Sequence, residues 1–205
     1  TKTSEALCKY WEQELISSFH CIGKRYLYDK KHVTQVERLS LLMFDKLAKH
    51  YGMGERERLL LRGAAIVHDL GKYICMRSHS SHTYELIMAT DIIGFSDRDK
   101  KIIALAAYYH ANKLFDRTNT KAPAIDKDMV AVVAKLAAIL RLADALDRSY
   151  LQKIRQCSVN IKDNSMVVQA TSKNDLALEE WTFAAKASFF EEVYGLEAVL
   201  QRVED

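Results

Sequence analysis

Between Asp126 and Leu146 the chain places Val130, Val133, Ala137, Leu140, Ala143 and Leu146 at helical spacing, and sets a carboxylate, Asp144, on or beside that stripe. An apolar face this long predicts a buried helix running through the core. It also poses a chemical problem. A carboxylate withdrawn from water is strongly unfavourable unless a cation or a hydrogen-bond network receives it.

The rest of the chain repeats the helical theme. Ser4 to Phe19 reads as an amphipathic helix with Ser4 or Thr3 as N-cap, and His20 to Lys30 as a connection through Gly23. A second helix carries Val33, Val36, Leu39, Leu42, Met43, Phe44 and Leu47, with His32 in its first turn. Gly52 and Gly54 precede a third, Glu55 to about Asp69, which Gly71 ends and whose last turn holds His68 and Asp69. Ser80 to Thr90 predicts a short helix, and Ser96 caps another that leads to His110. Ala111 to Ile125, with Pro123, loses all periodicity and reads as a loop that could serve as a lid. Past residue 152 the period changes to two. Val159 and Ile161, the turn Asp163-Asn164-Ser165, and Met166, Val168 and Ala170 form a hairpin signature. A helix from Leu178 to Tyr194, inward at Trp181, Ala184, Ala185, Phe189 and Val193, and a strand from Leu196 to Val203 complete the tail.

The expected class is therefore mainly α: a helical bundle over 1–152 with a small C-terminal β-β-α-β subdomain over 153–205. Seven glycines and one proline in 205 residues are too few for a many-turned all-β chain. Cys8, Cys21, Cys75 and Cys157 lack CxxC spacing, so neither a disulfide framework nor a zinc ribbon is implied, and free thiols in a cytoplasmic protein are expected. No apolar run approaches the ~20 residues of a membrane span. A net charge of +3 with no aromatic stacking platform gives no reason to expect nucleic acid.

His68-Asp69-Leu70-Gly71-Lys72 is the segment richest in chemistry. A His-Asp dipeptide alone also fits a histidine at a helix C-terminus beside a solvated aspartate. Three features turn the balance: Gly71 permits a sharp turn, Lys72 supplies a cation where a phosphate would lie, and His32 and Asp144 offer the remaining ligands from other helices. Arg148 is a second cation that a substrate could meet. Arg141 and Asp147 fit pairing with helix neighbours at i,i+3 or i,i+4. Lys24, Arg25, Lys30 and Lys31 flank the approach to His32 and read either as a guide for a polyanion or as a solvated loop. His79 is a weaker candidate ligand, because near-surface loop histidines are usually solvated, and His20 and His50 read as surface residues.

In ligand order, His32, His68-Asp69 and Asp144 resemble the HD superfamily of metal-dependent phosphohydrolases. More narrowly, Ala65 to Lys72, Ser81 to Ile87, Gly94-Phe95-Ser96, Tyr109-His110 and Leu140 to Ser149 resemble the C-terminal half of exopolyphosphatase and guanosine pentaphosphate phosphohydrolase proteins. The resemblance covers nearly the whole chain. It implies an HD-type bundle with a divalent metal at His32, His68, Asp69 and Asp144, where Mn, Mg, Fe, Ni and Zn all suit the donors. It further implies His82 and His110 as ligands of a second metal bridged by Asp69, although the doubled histidine of two-metal members is here His110-Ala111.

Two functions follow from that resemblance. One is hydrolysis of a phosphoester or phosphoanhydride, such as polyphosphate or a nucleotide, by a metal-activated water, with Asp69 and Lys72 catalytic and Lys72 and Arg148 binding substrate. The other is a non-catalytic module that binds polyphosphate or a nucleotide and dimerises. In that case catalysis would belong to an N-terminal actin-like phosphatase domain, whose glycine-rich phosphate loops are not found in this sequence.

Overall fold

In the computed structural model, which describes residues 2–111 and 122–203 and side chains from Tyr10 onward, four helices close their hydrophobic faces on one central rod. That rod is α6, Val130–Ala145. From Leu136 to Asp147 every residue is buried, so the far half of the helix has no solvent face at all. Against it pack α2 (Lys30–Tyr51), α3 (Glu55–Val67), α5 (Asp97–Tyr109) and α7 (Ala177–Tyr194). An outer layer is made by α1 (Lys2–Arg25) on α3, and by α4 (His79–Met88) on α5 and on a 3-10 turn over Leu70–Tyr73. The tail forms a three-stranded sheet in the order β1 (Gln156–Lys162), β2 (Ser165–Thr171), β3 (Glu197–Val203). The β1–β2 hairpin is antiparallel and pairs Val159 with Val168 and Ile161 with Met166. Its partner β3 runs parallel to β2 after the α7 crossover. The mainly α class with a small β-β-α-β tail is thus the observed one.

Local departures from the sequence reading have physical causes. The first helix does not stop near Phe19 but runs to Arg25, with Ser4 inside it rather than capping it. Gly23 lies inside the helix, and the Tyr28 ring packs where its Cβ would stand. Only residues 26–29 connect to α2, and Asp29 caps it by accepting a hydrogen bond from His32 N at 3.0 Å. Asp126 does not open α6, which starts four residues later; its carboxylate accepts from Lys101 at 2.9 Å instead. Ser96 does cap α5, in a reciprocal box with Asp99. The loop and lid expected over Ala111–Ile125 fall mainly on 112–121, outside the described residues.

The buried face of α7 is turned by about one residue from the one expected. Thr182, Phe183, Lys186, Ala187, Phe190 and Tyr194 face inward, whereas Trp181, Ala184 and Ala185 are exposed. Two large aromatics outweigh two alanines in burial, and Lys186 has an ionic partner inside the core. Among the described residues no helix is long and apolar enough to cross a membrane.

Candidate functional site

The site begins with a sharp change of direction after α3. His68 caps that helix, Asp69 follows in the bridge conformation (φ −105°, ψ 6°), and the 3-10 turn carries Lys72 back beneath α4. Gly71 is required here by close approach rather than by a left-handed backbone. A Cβ on it would strike the His79 carbonyl oxygen and lie 2.6 Å from Thr83 N, both backbone atoms of α4. Thr83 secures the contact by donating to His68 O at 3.1 Å and accepting from Gly71 N at 2.9 Å.

This packing brings together His32, His68, Asp69 and Asp144, all buried, from α2, the end of α3 and α6. Each imidazole is turned by a bond at Nδ1. His32 donates to Asp147 Oδ2 at 2.8 Å, His68 to Ala65 O at 2.7 Å, His79 to Met76 O at 3.0 Å and His110 to Ala107 O. The Nε2 atoms are thereby aimed at the carboxylates. Asp144 Oδ1 lies 3.4 Å from His32 Nε2 and 3.7 Å from His68 Nε2. Asp69 Oδ2 lies 3.6 and 3.4 Å from the same two atoms. Its Oδ1 lies 3.7 Å from both His79 and His110 Nε2.

These separations are too long for good hydrogen bonds. They are close to the roughly 3 to 3.6 Å that separates two donors sharing one ion at about 2.1 Å each. His32 Nε2, His68 Nε2 and Asp69 Oδ1 are buried with no hydrogen-bond partner among the described residues. Buried ring nitrogens without partners on one side of Asp69, and its own unpartnered Oδ1 on the other, fit bound cations. Two overlapping groups meet the spacing for an ion, His32–His68–Asp144 and His68–Asp69–His110.

Electrostatics agree. Burial presses the His68 pKa down, but Asp69 and Asp144 outweigh it and push it up to about 10. His32 is likewise raised against burial by Asp144 and Asp147. Burial would raise Asp69 and Asp144, yet His68 holds the first, and Lys186 with His32 the second, below the usual carboxylate range. His110 is driven well below the ordinary imidazole value by burial and by His68, and its Nε2 meets His79 Nε2 at 3.3 Å. The His32 and His68 shifts show the two carboxylates drawing positive charge onto these rings as protons. A divalent ion would replace those protons.

Around this centre the structure distributes the other expected residues unevenly. Lys72 Nζ donates to Asp69 Oδ2 at 2.5 Å and pairs with the Tyr150 hydroxyl. Arg148 is exposed and lines, with Lys72, His79, His110 and Lys186, a cleft of about 360 Å³ that opens onto Asp69 and Asp144. His82 is not in the gathered set. It faces Glu85 at 3.4 Å, and His79, the weaker candidate in the sequence, occupies the place beside Asp69. His20 meets the Tyr28 hydroxyl at 3.0 Å, away from the cleft. Lys24, Arg25, Lys30 and Lys31 are exposed and do not line it.

Several contributors carry no local sequence signal. Asp147 does not pair with a helix neighbour: it orients His32 from 115 residues away and also accepts from Gln152 N at 2.8 Å and Gln152 Nε2 at 3.0 Å. Arg141 donates to Tyr109 O at 2.6 Å and lies over the Phe189 ring, with burial pushing its pKa down to about 10. Tyr150, left-handed at φ 61°, stacks on His32 with centroids 3.7 Å apart and donates to Asp69 Oδ2 at 2.6 Å. Lys186 Nζ donates to Asp144 Oδ2 at 2.6 Å.

The family model described as "Ppx/GppA phosphatase, domain III" matches residues 16–189. A guanosine-5'-triphosphate,3'-diphosphate pyrophosphatase of Aeromonas hydrophila subsp. hydrophila is 27% identical over 120 residues, 58% of this chain. The aligned part is 24% of that curated relative's own length.

Proposed function

The chain belongs to the Ppx/GppA phosphatase domain III family, and from that premise we propose that it is an exopolyphosphatase-like phosphohydrolase domain of HD type working with a divalent metal. The observation that carries this reading is the set of unpartnered atoms, His32 Nε2, His68 Nε2 and Asp69 Oδ1, gathered about Asp69 and Asp144, which line a cleft together with Lys72, Arg148 and Lys186. His32, His68, Asp69 and Asp144 would hold the metal, with His79 and His110 on the far oxygen of Asp69. An ion there (Mn, Mg, Fe, Ni or Zn) would lower the pKa of a bound water and polarise a phosphoryl oxygen.

The chain's own residues supply the rest. Asp147 and the Ala65 carbonyl fix the tautomers of His32 and His68, so that neither ring must rotate before binding. Lys72 neutralises charge that grows on the phosphate oxygens, and Arg148 anchors the substrate at the cleft mouth. The substrate is a phosphoester or phosphoanhydride such as polyphosphate or a nucleotide, and the setting is the cytoplasm.

A second reading is favoured by the alignment to only a quarter of a longer relative. In it the chain binds polyphosphate or a nucleotide and dimerises, serving a phosphatase domain elsewhere. Elemental analysis of protein purified without chelator separates the two. Bound metal that is lost in His68→Ala, with hydrolysis of p-nitrophenyl phosphate, nucleotides or polyphosphate, supports the enzyme. If the wild type, supplied with metal, retains none and hydrolyses none of these, the enzymatic reading fails.

A further inference from the structure

Lys186 comes from the C-terminal part of the chain, 42 residues beyond the carboxylate it bonds. It is 7% exposed, and it also forms part of the wall of the cleft. Its placement is peculiar for a metal centre. Asp144 turns Oδ1 toward His32 and His68 and gives Oδ2 to the Lys186 ammonium. A cation on the back of a ligand carboxylate weakens that carboxylate as a donor and repels the incoming ion. Lys186 therefore does not serve to tighten metal binding; it compensates Asp144 until an ion takes over that role, and is then available to a second anion.

We propose that Lys186 is a substrate-binding residue that parks on Asp144 in the empty cleft and takes a phosphate oxygen of the substrate when one enters. The inference rests on the phosphohydrolase reading and adds a residue that reading did not contain. An ammonium has three donors, and the bond to Asp144 uses one. The cleft side of Lys186 is shared with Lys72 and Arg148, so a phosphate over the metal floor meets cations from the 3-10 turn, from the end of α6 and from α7. Such a set would enclose the equatorial oxygens of a phosphoryl group from several sides.

Opposite signs make the proposal testable. The full chain is titrated by calorimetry with Mn²⁺ and then, loaded with Mn²⁺, with inorganic phosphate, as wild type, K186M and K186R. K186M should bind Mn²⁺ as tightly as the wild type or tighter. Its phosphate affinity should fall about tenfold to a hundredfold, the equivalent of one charge-assisted hydrogen bond, and K186R should recover part of it. If K186M weakens Mn²⁺ and phosphate together, Lys186 is a structural prop and the proposal is overturned. Unchanged phosphate affinity in K186M overturns it as well, while leaving the phosphohydrolase reading intact. A wild type that binds no Mn²⁺ overturns both. Should K186M not fold, the Lys186 ¹⁵Nζ resonance of the Mg²⁺-loaded wild type, assigned through K186R, must move on adding phosphate; a resonance that stays put decides against the proposal.

Discussion

Asp147→Asn isolates the part of the site that acts without touching an ion. The native carboxylate accepts three bonds: Oδ1 from Gln152 N at 2.8 Å, and Oδ2 from His32 Nδ1 at 2.8 Å and Gln152 Nε2 at 3.0 Å. All three partners are donors. An amide of the same shape has one acceptor oxygen and one NH₂, so one end must set donor against donor. If the NH₂ faces Gln152 N, a half-buried backbone donor is orphaned. If it faces His32, the ring can respond only by moving its proton to Nε2, the atom that would bind metal. Loss of such an orienting partner typically costs tenfold to a hundredfold in metal affinity, or about 1.4–2.7 kcal/mol. The metal-free protein loses charge-assisted hydrogen bonds worth about 1.5–3 kcal/mol, and its Tm should drop by about 3–12 °C. Calorimetric titration with Mn²⁺ and a thermal melt read both quantities, and ¹⁵N NMR of the imidazoles reads the tautomer. D147N with metal affinity within about twofold of wild type, an unchanged Tm and an unaltered His32 tautomer would refute the reasoning.

Other expectations follow from single contacts. Gly71→Ala drives a methyl group into the His79 carbonyl and Thr83 N, so it should cost about 3 kcal/mol by chemical denaturation and shift the α4 histidine resonances. Against burial, which raises it, Arg56 and Ser96 hold the Asp99 pKa below 3.8, so its contribution is present above that value and is lost as pH falls through the lower folded pKa. Asp99→Asn should therefore lose about 1–2 kcal/mol at pH 7, and its melting curve should converge on that of the wild type in strong acid. His79→Ala should weaken binding of a second metal equivalent whereas His82→Ala should not, as a Co²⁺ titration followed by absorbance would show.

What the sequence disclosed and what it withheld divide along a physical line. Helical and two-residue periods, the Ser96 cap and the Asp163-Asn164 turn are local, so the elements of the bundle and the hairpin could be read directly. His32, His68, Asp69 and Asp144 were found because their residue types sit at helix ends and on an apolar stripe. Lys186 and Asp147 were invisible as site residues because each acts on a partner more than 40 residues away, and no spacing records such a pair. The choice between His79 and His82 depends on the rotation of a ten-residue helix, which the weakly amphipathic segment HSSHTYELIM does not fix by itself. Contact with the 3-10 turn at Gly71 fixes it instead. The turn of α7 that exposes Trp181 has the same origin, since a lysine on the inward face looks wrong until Asp144 is seen opposite.

The last consequence concerns the division near residue 152. A chain ending there would keep His32, His68, Asp69 and Asp144, but it would lose what holds them. Glu179 accepts from Ser149 N at 3.0 Å, next to Tyr150, and Ile154 O accepts from Gln35 Nε2 at 2.8 Å. Tyr194 joins Tyr51 and Lys135 through bonds of 2.6 and 3.0 Å, and Phe183 and Phe190 lie in the same continuous core as α6. Burying Phe183, Phe190 and Tyr194 contributes about 1.5–3 kcal/mol each, so their removal takes roughly 5–9 kcal/mol from a total that is about 5–15 for a domain. Asp144 would lose Lys186 as well, leaving a buried charge without its ammonium. Residues 1–152 alone should therefore show no cooperative thermal transition, with or without Mn²⁺. A sharp melt together with Mn²⁺ binding in that fragment would show that the metal set stands without the tail, and the case for the tail as a working part of the site would fall.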